Sequence, residues 1–120
     1  TEEMKAVYNT VLAAQVAGIA ATKAGVTGRE VDAAARKVIT DAGYGPYFGH
    51  GYGHGVGIEI HEYPRLSPKS EAVLEAGHVV TAEPGIYIPG EFGVRIEDMV
   101  MVTETGYYNF TNSEKKLIVV

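Results

Sequence analysis

The chain has 120 residues, a formal net charge of −5 and no cysteine. Its length suits a single domain, the absence of cysteine excludes disulfides and thiolate metal sites, and the acidic balance argues against nucleic acid as a partner. The sequence has no apolar run near the roughly 20 residues that span a bilayer and no visible signal peptide. We therefore expect a cytoplasmic protein without a membrane partner.

The first 43 residues predict two amphipathic helices. Apolar side chains recur at helical spacing over residues 2–24, and Gly25 then favours a helix end; these side chains are Met4, Tyr8, Val11, Leu12, Val16 and Ile19. Thr27-Gly-Arg-Glu30 has the pattern of a capping box at the start of a second helix, which Gly43 ends. The apolar face of that helix consists of Val31, Ala34, Ala35, Val38 and Ile39.

Residues 50–64 hold three of the four histidines of the chain. Glycine occupies every second position from Gly51 to Gly57, which is unfavourable inside an ordinary strand. We interpret this spacing as a place where the backbone approaches a ligand closely and imidazoles converge. The stretch is therefore the first candidate for a functional site.

The remaining residues predict strands and turns. We expect a loop over residues 64–77, with one helical turn near 71–74, and then the strand Val79–Ala82. Apolar and polar side chains alternate over residues 94–102, and a turn at 103–106 leads to a strand over 107–110. Residues 117–120 predict a terminal strand. The predicted fold class is α+β: one domain, residues 1–120, with two amphipathic helices packed on a mostly antiparallel sheet.

The histidines differ in their predicted roles. His54 is the first metal-ligand candidate because flanking glycines leave its imidazole free to turn inward; the alternative is a buried, hydrogen-bonded histidine. His61 lies an odd number of residues further on, so a regular strand would point it to the opposite face unless a bulge intervenes. We interpret His61 as a catalytic or substrate-contacting imidazole. His50 would share a strand face with His54, or is simply a loop histidine.

Two glutamates could complete a metal site. Glu83 ends an apolar strand before a Pro-Gly turn and needs a partner, either a metal or Arg95. Glu97 follows Arg95 by two residues, so both would share one strand face; the alternative is a structural Arg–Glu pair. A hydrolytic site needs about three protein ligands and an open position. His54, Glu83 and Glu97 could supply them, and metal-activated water would then hydrolyse an amide.

Four motifs in order carry a family resemblance: His50-Gly-Tyr-Gly-His54, His61-Glu-Tyr-Pro64, Glu83-Pro84-Gly85-Ile86-Tyr87 and Gly93-Val94-Arg95-Ile96-Glu97-Asp98. Together they resemble the pita-bread metallopeptidase family, which includes methionine aminopeptidase, aminopeptidase P, prolidase and creatinase. The last two motifs resemble its proline-specific branch. The resemblance implies half of a pita-bread fold and metal-dependent hydrolysis of Xaa-Pro bonds in proline-containing peptides.

The resemblance also implies roles for individual residues. It implies two divalent ions, Mn, Co or Zn, held in part by His54, Glu83 and Glu97. Glu97 would bridge the ions, and Glu83 would also help to activate water. His61 would contact the substrate carbonyl, His50 would line the site, and Arg95 would support the ligands.

The sequence departs from the family at two further ligands, a pair of aspartates that precede the matched motifs. The aspartates of this chain are Asp32, Asp41 and Asp98, and none stands in that place. We therefore predict that residues 1–120 are the carboxy-terminal part of a catalytic domain and are too incomplete to be active alone. The missing amino-terminal half, or a second copy in a dimer, would cover its apolar surface. Two other hypotheses stay open: a non-catalytic binding or assembly module, and a creatinase-like hydrolase.

Overall fold

The computed structural model describes residues 2–56 and 64–110, and every statement about structure refers to these. It contains the helices α1 (Glu2–Ala21) and α2 (Gly28–Asp41), a 3₁₀ turn (Gly45–Tyr47), and the strands β1 (Gly53–Val56), β2 (Arg65–Leu66), β3 (Val79–Ala82), β4 (Gly85–Ile88), β5 (Phe92–Arg95), β6 (Asp98–Val102) and β7 (Tyr107–Asn109). Neither of these helices is long and apolar enough to cross a membrane.

The strands form two antiparallel sheets. One sheet has the order β2-β1-β3-β6-β7, and β4 and β5 form a separate two-stranded sheet. Both helices pack on these strands and on each other. The core lies between the layers, and its largest fully buried apolar side chains are Tyr52, Ile39, Leu66, Leu74 and Ile86. The predicted α+β class, with two helices on a mostly antiparallel sheet, is confirmed.

Helix α1 differs from the prediction in its end and in its buried face. It ends at Ala21, and the Thr22 hydroxyl just beyond it donates to Gly18 O at 2.9 Å. Met4 and Val16 were expected on the apolar face but are 43% and 57% exposed. The buried face consists of Val7, Val11, Ala14, Gln15, Gly18 and Ile19. Gly18 makes room for Tyr52, since a Cβ on Gly18 would lie 2.3 Å from Tyr52 Cζ. A narrow helix face therefore accommodates a large ring.

Helix α2 begins and ends as predicted. The Thr27 hydroxyl accepts the Glu30 N–H at 3.1 Å, so Thr27 is the N-cap. Gly43 follows the C-cap with a φ of 93°, the left-handed conformation that favours glycine. The buried side of α2 includes Val31 and Ile39, and it also includes the carboxylate of Asp32.

Three predictions about the strand region need correction or qualification. Residues 94–102 are not one strand: β5 ends at Arg95, β6 begins at Asp98, and the two belong to different sheets. The alternation continues through a corner, where Ile96 N–H donates to Pro84 O at 3.3 Å. Residues 71–74 form no helical turn, because Val73 makes a β-bridge to Thr27. The terminal strand expected at 117–120 lies outside the described residues.

The turn expected at residues 103–106 is confirmed. Thr103 N–H donates to Gly106 O at 2.9 Å, and Gly106 N–H donates to the Thr103 hydroxyl at 3.0 Å. The turn connects β6 to β7, which pair antiparallel.

Candidate functional site

Residues 53–56 of the glycine-rich stretch form β1, which lies between two neighbouring strands. A Cβ on Gly53 would lie 1.9 Å from Thr81 O, a backbone atom that cannot move aside. A Cβ on Gly51 would lie 3.0 Å from Leu66 O. Neither position therefore has room for a side chain. Both residues also line the cavity described below, so the interpretation that a ligand approaches them stays a prediction for both glycines. They let β1 sit tightly between β2 and β3, and this packing sets the position of His54.

Two hydrogen bonds, each donated by a backbone N–H, join β1 and the residue before it to β3 and the residue after it. His54 N–H donates to the Thr81 hydroxyl at 3.0 Å, and Glu83 N–H donates to Tyr52 O at 2.8 Å. As a result, His54 Nε2 lies 3.5 Å from Glu83 Oε2. The Glu83 side chain is 16% exposed and that of His54 is 41% exposed, so the pair faces a solvent-connected space.

The hydrogen bonding of His54 suits a metal ligand. Its Nδ1 lies 3.0 Å from Gly55 O, and a carbonyl oxygen can only accept, so Nδ1 carries the proton. In the neutral imidazole Nε2 presents a lone pair to the Glu83 carboxylate, so that two acceptors would face each other. A proton or a metal ion between them would remove the conflict. Metal-binding histidines usually donate their other N–H to such an acceptor. His54 Nε2 and the Glu83 carboxylate therefore fit as two ligands of a divalent-metal site.

A cavity of about 370 Å³ opens beside this pair. It is lined by His50, Gly51, Gly53, His54, Arg65, Ser67, Glu83 and Arg95. The structure thus brings four of the six predicted site residues to one cavity. Arg65 and Ser67 were not predicted, although Arg65 directly follows the motif that ends at Pro64 and so carried a positional signal.

Glu97 and His61 stand apart from this group. Glu97 is exposed on the connection between β5 and β6, so the premise that it lies on one strand with Arg95 is wrong. Across residues 2–56 and 64–110, no group of three histidines or carboxylates is arranged to hold a metal. His61 lies outside the described residues. The ligand role of Glu97 and the catalytic role of His61 therefore stay predictions.

His50 is fixed in the cavity wall, although it lies outside β1. Its Nδ1 donates to Gly51 O at 2.7 Å, so in the neutral ring Nε2 accepts from the Tyr87 hydroxyl at 3.1 Å. The imidazole ring also packs nearly perpendicular to the Phe48 ring, with ring centroids 5.1 Å apart. The role of Tyr87 as a partner of His50 was not predicted, although Tyr87 stands in one of the four motifs.

Buried polar groups behind the cavity were also missed. The Gln15 side-chain amide donates to Ala82 O at 3.1 Å and to Ile96 O at 3.3 Å, the carbonyls that precede Glu83 and Glu97. The Tyr52 hydroxyl donates to the main-chain oxygen of Gln15 at 2.9 Å. Burial, and secondarily the charge of Asp98, raises the pKa of Tyr52 far above its ordinary value. Tyr52 therefore stays a neutral donor.

Comparison with known proteins gives one consistent family. Residues 1–104 match the model of metallopeptidase family M24. An Xaa-Pro dipeptidase of Pyrococcus furiosus is 50% identical over 117 residues, which are 98% of this chain and 34% of that protein. The match of the three ordered motifs in the described residues is thus part of a similarity over almost the whole chain.

Solved structures agree with the fold. An Xaa-Pro dipeptidase from Bacillus anthracis has a TM-score of 0.96 and 55% identity over 100% of this chain and 34% of its own. An X-Pro aminopeptidase from Thermotoga maritima has a TM-score of 0.94 and 43% identity, again over 100% of this chain and 34% of its own. The expected half of a pita-bread fold is confirmed. The chain spans about a third of the length of these relatives.

Proposed function

Because this chain belongs to metallopeptidase family M24, we propose that it forms part of the active site of an enzyme that hydrolyses Xaa-Pro peptide bonds with a divalent metal. The observation that carries the proposal is the contact of His54 Nε2 with Glu83 Oε2, 3.5 Å apart beside a cavity. Identity of 50% to an Xaa-Pro dipeptidase supports the substrate class. The activity is that of a whole protein, of which this chain corresponds to part.

In this proposal His54, Glu83 and Glu97 would be the residues of this chain that hold divalent ions. Mn, Co and Zn are the candidate metals. A divalent ion bound there supplies the Lewis acidity that activates water and polarises the scissile carbonyl. The complete protein supplies the remaining ligands.

The residues of this chain supply the proton transfer and the orientation. Glu83 accepts the proton of the attacking water, since its carboxylate is partly buried and faces the cavity. His61 stabilises the oxyanion that develops on the substrate carbonyl. His50, held by Tyr87 and Phe48, forms a rigid wall that orients the substrate.

The charge of the cavity favours a dipeptide substrate. Among the described residues that line it are two guanidinium groups, Arg65 and Arg95, and one carboxylate, Glu83. Arginine binds carboxylates well because its N–H groups match the two oxygens. We therefore propose that the free carboxylate of an Xaa-Pro dipeptide binds to Arg65 and Arg95, and that longer peptides or amides bind less well.

We further propose that this 120-residue chain alone is inactive and that its exposed sheet needs a cover. Met99, Tyr108 and Phe110 are 39%, 58% and 49% exposed, and neighbouring exposed apolar side chains commonly mark an interface. The cover is the amino-terminal half of the domain in the complete protein, or a second copy in a dimer of the chain alone. Sedimentation velocity of the isolated chain tests this: a monomer at every concentration would contradict it.

The direct test uses the purified full-length gene product, stripped with EDTA and reloaded with Mn²⁺, Co²⁺ or Zn²⁺. The substrates are Ala-Pro, Ala-Pro amide, Ala-Pro-Ala, Ala-Ala and creatine. We expect Ala-Pro to be hydrolysed fastest, with loss of activity on metal removal and recovery on reloading. Hydrolysis of creatine alone would indicate a creatinase-like enzyme. Metal binding without hydrolysis of any substrate would indicate a non-catalytic module.

A further inference from the structure

Two side chains on α2, outside the cavity, are bound to each other at two points. Arg36 Nε lies 2.8 Å from Asp32 Oδ1, and Arg36 Nη2 lies 3.1 Å from Asp32 Oδ2. Asp32 is 1% exposed and Arg36 is 25% exposed. A buried carboxylate is costly unless its charge and its lone pairs are satisfied, and this two-point contact satisfies both in one fixed geometry.

The same pair also binds the backbone that leads to the candidate site. Arg36 Nη1 donates to Phe48 O at 2.8 Å, and Arg36 Nη2 donates to His50 O at 2.9 Å. Tyr52 N–H donates to Asp32 Oδ2 at 3.0 Å. The guanidinium also lies over the Phe48 ring, 4.1 Å from its centroid. The pair thus holds three alternate residues of a segment that is neither helix nor strand.

This attachment determines where both imidazoles lie. The carbonyl of His50 is held directly, and its ring packs on Phe48, which the guanidinium covers. His54 follows Tyr52, whose N–H is held by Asp32, by two residues. We propose that Asp32 and Arg36 are a positioning pair that orients His50 and His54 in the cavity wall without touching the substrate. Its effect on catalysis depends on the proposed function; its effect on the imidazoles does not.

The same helix contains a matched control. Lys37 and Asp41 have the same spacing as Asp32 and Arg36, and Lys37 Nζ lies 2.6 Å from Asp41 Oδ2. Both side chains are exposed, 75% and 62%, and exposed pairs of this kind contribute little to stability. Lys37→Gln therefore removes a cation from α2 next to Arg36 without disturbing the segment that carries His50.

The test replaces Arg36 with lysine in the full-length protein and observes the histidines by ¹⁵N–¹H NMR of the imidazoles, with His78 as an internal reference. Lysine keeps the charge but lacks the planar fork that reaches two carbonyls and a carboxylate together. We expect the His50 and His54 signals to move or broaden in Arg36→Lys, while the His78 signal stays in place. In Lys37→Gln all three should match the parent protein. A folded Arg36→Lys with unchanged His50 and His54 signals overturns the proposal.

A second variant covers the case in which Arg36→Lys does not fold. Asp32→Asn keeps the shape of the side chain but removes the charge that strengthens its hydrogen bonds with Arg36. We expect displacement of the same two imidazole signals. If the full-length protein hydrolyses Xaa-Pro peptides, both variants should lower kcat about 10- to 100-fold, the range for residues that orient ligands, with a smaller change in KM. A folded variant with unchanged kcat and unchanged imidazoles overturns the proposal. A protein without peptidase activity leaves the NMR result decisive.

Discussion

The two walls of the cavity are built in different ways. The imidazole wall, residues 48–54, is held at every second backbone position by Asp32 and Arg36 and is locked to β3 by the Thr81 hydroxyl. The carboxylate wall, residues 83–97, consists of the small β4–β5 sheet and a connection, with Gln15 bound to a carbonyl near each end. Among the described residues, other elements thus form more hydrogen bonds to the imidazole wall than to the carboxylate wall.

This difference indicates which half of the site the chain determines by itself. The imidazoles have fixed hydrogen bonds, and Glu83 is tied to them through Tyr52 O. Arg95, at the far end of the cavity lining, and Glu97, beyond that lining, are exposed. We infer that substitutions behind the imidazole wall act through α2, whereas the carboxylate wall depends on Gln15 and on whatever packs over it in the complete protein.

The largest expected effect is at the junction of the two walls. In the full-length protein, Glu83→Gln should lower kcat by about 10²- to 10⁴-fold, because the amide cannot accept the proton of the attacking water. Steady-state kinetics on Ala-Pro measures this loss. Glu91→Gln, in the exposed turn between β4 and β5, is the control and should retain the parent rate. Equal rates for both variants would contradict the catalytic role of Glu83.

A single added methyl group at Gly53 should destabilise the imidazole wall. Gly53→Ala places a Cβ against the Thr81 carbonyl, and β1 and β3 must separate. We expect a loss of about 3 kcal/mol in the free energy of unfolding, at the upper end of ordinary overpacking. Urea denaturation of this chain measures it. Gly49→Ala is the control, since a Cβ there meets nothing within 4 Å; equal stability of the two variants would refute the tight fit.

The motifs made some of this site predictable from sequence and left some hidden. His50, His54, Glu83 and Arg95 were found because each stands in a short pattern of distinctive residue types. Gln15 could not be found in that way. Its partners are backbone carbonyls 67 and 81 residues away. Every residue has a backbone carbonyl, so the sequence does not indicate which carbonyl a side chain will bind.

The same limit explains the other omissions. Asp32 and Arg36 were recognisable as an i,i+4 pair, but the backbone of residues 48–52 that they bind was not. Glu97 was misplaced for a different reason: apolar alternation persists through the corner between β5 and β6, so the pattern does not reveal where one strand ends. Caps and turns were predictable because Thr27, Gly43 and Thr103 act on their immediate neighbours.

The carboxylate wall is tested by Gln15→Met, which keeps the size of the side chain and removes its hydrogen bonds. Two carbonyls lose a donor, and buried unpaired groups cost about 1–3 kcal/mol. Within the described part of the chain, Gln15 Oε1 is buried without a hydrogen-bond partner, and its removal offsets part of that cost. We expect a net loss of about 1–2 kcal/mol. Asn9→Met, at an exposed position of α1, is the control for urea denaturation; equal losses would contradict the bridging role.

The smallest effect on stability is expected at Tyr52. This residue lies in the imidazole wall, and its hydroxyl binds the main chain of Gln15, whose side chain holds the carboxylate wall. Tyr52→Phe removes this hydrogen bond and should cost about 1 kcal/mol near neutral pH. The difference should depend on pH with a definite sign. Burial raises the pKa of Tyr52 in the folded state, so above about pH 10 the unfolded chain releases a proton that the folded chain keeps.

Unfolding of the parent chain therefore becomes easier by about 1.4 kcal/mol per pH unit from this one group, while the variant has no such proton to lose. The stability difference between the parent and Tyr52→Phe should shrink above pH 10 and then reverse. Urea denaturation between pH 7 and 11 measures it. Tyr108→Phe removes a hydroxyl from a ring that is 58% exposed and serves as the control. A constant difference between the parent and Tyr52→Phe across this range would mean that the hydroxyl is hydrated rather than buried, and that the two walls are not joined through it.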